Sequence, residues 1–221
     1  MPSRLFAFIL LVLLCLPDPG LPVSGQTAKL LPVDEAVRDP SFFIFRARFM
    51  EAIQRRDAPY VLSVTAADIK NGFGGNDGVA EFKKSWKPEQ PGSEFWKVMT
   101  AILALGGSFI NPQTFAAPYI HSKFPDNLDA MDSGVIIGEN VRVRQQSSQD
   151  SPVIATLSFD IVQVPDWTIR NNGATRWIQV KLAGGASGYV SADYIRSPVS
   201  WRAFFEKKDG QWRLAMLVSG D

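Results

Sequence analysis

The feature that most restricts the fold is a change of hydrophobic period near residue 134. Before it, apolar residues recur every three or four positions, as on one face of a helix. After it, they alternate, as on one face of a strand. Phe42, Phe45, Phe49, Ala52 and Ile53 make the clearest helical stripe, and Glu51 and Arg55 stand at the i, i+4 spacing on the far side. Asp39-Pro40 predicts its start, since aspartate accepts from free backbone N–H groups and proline lacks the N–H that the first turn leaves unused. The 56–59 stretch (Arg-Asp-Ala-Pro) predicts its end. A Gly- and Asn-rich turn at 68–78 precedes a shorter stripe of Val79, Phe82 and Trp86. Ser93 is placed to cap a helix carrying Phe95, Val98, Met99, Ile102 and Leu103, which stops at Gly106-Gly107.

Beyond residue 134 the strand candidates are short: Val141 and Val143 alternating with Arg142 and Arg144, then 153–157, 159–164, 177–182 and 187–190. Turn-forming clusters at 145–151, 165–175 and 184–185 separate them. Strands this short and closely spaced predict a small barrel. The tail then alternates Trp201, Ala203 and Phe205 outbound and Trp212, Leu214, Met216 and Val218 on return, around Asp209-Gly210. That dipeptide suits a two-residue hairpin turn. The expected fold class is therefore α+β: a helical region over 26–134, a barrel over 135–197, and a hairpin within 198–221 that packs back on the helices.

The first 25 residues predict the compartment. Arg4 is followed by an unbroken apolar run over 5–16, a Pro-Asp-Pro-Gly break and small residues at Val23-Ser24-Gly25. This is the pattern of a secretory signal peptide, and the run is shorter than the roughly 20 residues a membrane-spanning helix needs. The expected mature protein starts after Gly25, is exported to a periplasmic or extracellular space, and carries no transmembrane segment. Cys15, the one cysteine, leaves with the signal peptide. The core must hold without disulfides in an oxidising compartment. The mature net charge stays at +1, which leaves no electrostatic footprint for nucleic acid.

Four pieces of the second half share the order and spacing of a known module. Glu139-Asn140-Val141-Arg142-Val143-Arg144 resembles the opening motif of bacterial SH3 (SH3b) domains, and Pro152-Val153-Ile154-Ala155-Thr156-Leu157 their next strand. Trp177-Ile178-Gln179-Val180 resembles their W-x-x-V strand, and Gly188-Tyr189-Val190 with Tyr194-Ile195 the closing segment. Glu139 replaces a common leucine, and 165–176 is long for the loop it occupies. The resemblance implies a small SH3-like barrel that binds a cell-wall peptide or a protein partner. The first helix, the Gly-rich turn and the tail hairpin also resemble the outer elements of nuclear-transport-factor-2-like cone domains. On that reading the barrel is an insertion, and the flanking segments (26–134 with 198–221) form a small-ligand-binding or enzymatic cone.

The residue inventory argues against the hydrolases that often accompany such modules. A thiolate nucleophile needs a cysteine, and none follows residue 15. Zinc hydrolases need several ligands, whereas His121 is the one histidine. Gly185-Ala186-Ser187-Gly188 lacks the spacing of a nucleophile elbow, and the 74–78 turn lacks the lysine of a phosphate loop and the oxygens of a calcium loop. Neither a metal nor a cofactor is expected, and the expected function is non-catalytic binding. The candidate ligand-binding residues are Trp167 and Arg170 in the long loop, Tyr189 and Tyr194 at module positions, and Arg142 on the polar face of its strand.

Overall fold

The computed structural model describes residues 28–220. The expected signal peptide and Cys15 lie outside the described residues. Helix α1, Pro40–Arg55, starts where the sequence predicts: the Asp39 carboxylate accepts from the Ser41 and Phe42 N–H groups at 2.7 and 3.0 Å. It ends at Arg56, which is left-handed at φ 57°. The chain turns at once into α2, Ala58–Ser63, capped by Asp57 through the Tyr60 N–H at 3.0 Å. A first strand follows, β1 (Thr65–Lys70), then α3 (Val79–Trp86) and α4 (Glu94–Leu103) with Ser93 as its cap. The turn before α3 is clipped shut by Asn71, whose side-chain amide donates to the Asn76 and Gly78 carbonyls at 3.1 and 3.0 Å.

The region read as helical also contributes three strands. Besides β1 these are β2 (Ser108–Asn111) and β3 (Thr114–Ala117), followed by the short helix α5 (Tyr119–Ser122). They join the tail hairpin, β12 (Arg202–Lys208) and β13 (Gln211–Val218), in one sheet of order β1-β13-β12-β3-β2. Asp209 and Gly210 both take positive φ in the turn, 51° and 75°, as a tight hairpin of right-handed strands requires. One detail of the expected alternation fails. A register shift at Phe204/Phe205 leaves Ala215 unpaired, so Leu217 is buried while Met216 is half-buried.

The helices cover one face of this sheet with an aromatic core. Phe42 lies 4.2 Å from Phe115, 4.8 Å from Trp212 and 5.8 Å from Phe205, centroid to centroid. Phe49, Phe82, Phe95, Met99 and Ile102 extend the same fully buried cluster.

Between β3 and β12 the chain builds a second sheet. Its strands are β4 (Ser133–Ile136), β5 (Val141–Arg144), β6 (Val153–Leu157), β7 (Ile161–Gln163), β8 (Arg170–Asn172), β9 (Thr175–Lys181), β10 (Ser187–Ser191) and β11 (Ile195–Arg196). The hydrogen-bonded path runs β11-β4-β7-β9-β10-β5-β6, with β8 paired to β9, and does not close on itself. Val143, Val180, Val190 and Ile136 fill its interior. The α+β class is as expected, but the second sheet is an open path where a barrel was expected. Five of the twelve residues of the 165–176 loop are strand: β8 folds back on β9 around Gly173.

A strap at the start of the described chain touches both sheets. Ile161 N–H donates to Ala28 and Leu30 N–H to Phe159, at 2.7 and 2.8 Å, and Lys29 pairs with the buried Asp160 at 2.9 Å. A few residues on, Glu35 N–H donates to Gly107 and Gly107 N–H to Val33, at 2.9 and 3.0 Å. Beneath it a third cluster joins Leu30, Tyr119 and Ile120 to Val135 and Ile161 of the second sheet.

Candidate functional site

Register explains why a groove opens on the outer face of the second sheet. Valines and isoleucines of β5, β9 and β10 point inward, so Arg142, Arg144, Trp177, Gln179, Tyr189 and Ser191 share the outer face. Tyr189 pairs with Arg144, and Ser191 with Trp177. Two residues along each strand, Arg142 and Trp177 therefore flank Ser191. The small serine between two long side chains leaves a trough. Its volume is about 680 Å³, within the range of small-molecule and peptide sites. Tyr194, Asp193, Glu139 and Asp150 also line it.

The chemistry of the trough is mixed in sign. Arg144 is held by the Ser151 carbonyl at 2.7 Å and Asp193 by Arg176 at 3.1 Å. The Arg142 guanidinium is exposed and makes no hydrogen bond or ion pair among the described residues. The indole N–H of Trp177 is buried without a partner, on a residue only 3% exposed. An unpaired buried donor of this kind costs about 1–3 kcal/mol. Tyr194, 53% exposed, offers an aromatic face and a hydroxyl at the mouth.

Of the five residues the sequence singled out, four gather on or beside this face. Arg142 and Tyr194 line the trough directly. Arg170 is the cross-strand partner of Trp177, and its guanidinium lies 5.6 Å from the Tyr189 ring centroid. Trp167 is elsewhere: it packs against the interior of the second sheet and donates its N–H to Met131 O at 3.2 Å. Two contributors had no sequence signal. Ser191 matters through its register, and Asp150 through a turn that brings it to the lining.

The remaining candidates for chemistry are dispersed. His121 lies in α5, with Nδ1 3.3 Å from the Pro198 carbonyl and its ring against Phe204. Among the described residues there is no group of three or more His, Cys, Asp or Glu placed to hold a metal ion. No described helix is long and apolar enough to cross a membrane. Between α1 and the tail hairpin, where a cone-type site would lie, the rings of Phe42, Phe45, Phe49, Phe205 and Trp212 occupy the space. Comparison with family models, curated proteins and solved structures gave no match to the chain.

Proposed function

We propose that this is an exported, non-catalytic binding protein, that its inserted sheet is a bacterial SH3-like module, and that the trough beside Trp177 receives a short cell-wall peptide. The observation that carries this reading is the trough over Ser191, lined by the exposed Arg142 guanidinium, which has no ion-pair partner among the described residues, and by the exposed Tyr194 ring. A peptide carboxylate suits the first, and an apolar part of the peptide suits the second. Glu139 and Asp150 in the lining suit an amino group, and a branched cell-wall peptide carries both charges. The order of the four module-like segments supports the same reading, as does the signal-like pattern of the first 25 residues.

Co-sedimentation of residues 26–221 with purified cell-wall sacculi tests it. The wild-type chain is expected to sediment. Arg142→Ala, which removes a charge-assisted hydrogen bond, is expected to weaken binding roughly tenfold. Ser191→Leu, which fills the trough, is expected to abolish it; Arg142→Ala is expected to melt like wild type, and Ser191→Leu slightly lower, because the serine hydroxyl accepts from the Asp193 N–H at 3.4 Å. Sedimentation that survives both substitutions refutes the trough. Absence of sedimentation by the wild type removes the cell-wall peptide and leaves a segment of a protein partner as the occupant to seek.

A further inference from the structure

A second groove, of about 680 Å³, lies between α1 and α4. The two helices run in opposite directions. Ile53, Gln54 and Arg56, at the end of α1, share this groove with the start of α4, whereas Arg46 and Met50, earlier in α1, share another cavity with Leu103 and Ala104. Along α4 the lining includes Glu94, Lys97, Thr100, Ala101 and Ala104, one stripe at helical spacing. Ten residue steps of about 1.5 Å make the stripe about 15 Å long. The small side chains at 100, 101 and 104 leave the groove open, and Ile53 and Trp96, 3% and 5% exposed, close it below.

The surface this groove offers to solvent is mainly carbon, and the short polar groups along it are already engaged. The Thr100 hydroxyl donates to the Trp96 carbonyl at 2.7 Å, and the Ser93 hydroxyl accepts from the Phe95 N–H at 3.1 Å. One Arg56 nitrogen donates to the Pro91 carbonyl at 2.7 Å, which holds the guanidinium against the groove. The exposed Lys97 ammonium makes no hydrogen bond or ion pair among the described residues. Glu94 is the one carboxylate in the lining, so its two cations outnumber its acids.

The charges gather at one end and the small apolar residues at the other. Arg56, Pro91 and Lys97 lie by the first turn of α4, where the helix N-terminus adds partial positive charge. Ala101 and Ala104 lie toward its last turn. An apolar chain laid along that half leaves water, which is favourable for every methylene covered. A neutral head leaves the cations unused, and a cationic head meets like charge. We propose that the groove between α1 and α4 binds a single-chain carboxylate amphiphile, a fatty acid, with its carboxylate at Lys97 and Arg56 and its chain along Ala101 and Ala104. The groove shares no residue with the trough beside Trp177 and stands or falls independently of it.

The test uses residues 26–221 with two probes of one chain length, decanoate and decyltrimethylammonium, each below its micelle concentration. NMR titrations that follow the Ala101 and Ala104 methyl groups are expected to show decanoate binding roughly fivefold more tightly at low salt, the worth of exposed charge contacts. The gap is expected to close as salt is added. Lys97→Glu, at an exposed position, is expected to erase the preference for decanoate with the melting temperature unchanged. Thr100→Phe, which fills the middle of the groove from another exposed position, is expected to weaken both probes. The proposal is overturned by equal affinities in the wild type, by an undiminished preference in Lys97→Glu, or by unchanged binding in Thr100→Phe. Methyl shifts with an acidic helical peptide and none with decanoate also overturn it, and give the groove to a protein partner.

Discussion

Replacing Phe42 by alanine is expected to be among the most damaging single changes in the chain. The ring is fully buried and has five aromatic neighbours, with centroids from 4.2 Å (Phe115) to 6.0 Å (Phe45). These belong to α1, β2, β3, β12 and β13, so one side chain ties the helix to four of the five strands. Phe→Ala in a core costs about 3–5 kcal/mol, and aromatic pairs at such spacings add about 0.5–1.5 kcal/mol beyond area burial. The expected loss is therefore at the upper end, about 4–5 kcal/mol, against a typical total of about 5–15 kcal/mol. With a urea dependence of about 2 kcal/mol per molar, the midpoint falls by about 2 M. Phe42→Leu keeps more of the volume and is expected to lose about 1.5–2.5 kcal/mol. Urea titrations followed by tryptophan fluorescence and far-ultraviolet circular dichroism measure both. A midpoint shift below about 0.5 M for the alanine variant, with unchanged slope, refutes the idea that this ring is the hub of the core.

Two further predictions address the pH response and the second sheet. The Asp39 carboxyl is held below its usual pKa by the Ser41 hydroxyl first, then, against the opposing effect of burial, by the Phe42 and Ser41 N–H groups and the Lys207 charge. Its stabilisation is complete above the unfolded value of about 3.9 and is lost as pH falls through the lower folded value. Asp39→Asn keeps a capping oxygen, so it is expected to cost no more than about 1 kcal/mol at neutral pH and to flatten the acid limb below about pH 4. Urea midpoints measured from pH 2.5 to 7 decide this, and parallel curves for the two proteins count against it. In the second sheet, a Cβ at Gly188 would lie 2.5 Å from Val143 Cγ1 and 3.0 Å from the Arg144 carbonyl oxygen. Gly188→Ala is expected to cost about 1–3 kcal/mol and to lower the melting temperature by about 3–10 °C. An unchanged melting curve means β5 and β10 can part without penalty.

Elements with local signals were legible in the sequence, and those held by distant partners were not. Asp39, Ser93 and Asp209-Gly210 act within a few residues of themselves, and α1, α4 and the tail hairpin lie where they predict. Strand β1, with Ala66, Ala67 and Asp68 in its middle, has little strand character of its own and is set by parallel pairing with β13. All four residues of β3 are buried, so the alternation that betrays a half-exposed strand is missing. In the trough, Arg142 and Tyr194 could be picked out as polar or aromatic residues on a module-like frame. Ser191 could not, because its significance is an absence of bulk beside a particular tryptophan. Trp167, a loop aromatic that by sequence could either meet a ligand or fold back over the second sheet, covers the interior of that sheet.

The insertion has a consequence for how this chain reaches its fold. β3 and β12 are adjacent and in register, Ala117 against Ala203 and Phe115 against Phe205, yet the whole second sheet is spelled out between them. A pairing so distant in sequence forms late if its two halves must find one another through an unstructured tether. Once the inserted sheet has formed, its two ends are held together, Arg196 against Val135, and the effective tether shortens to the links 118–132 and 197–201. The order of assembly expected from this topology is that the inserted sheet condenses first and brings β3 and β12 together. During synthesis, the helices made before the insertion wait for the strands made after it.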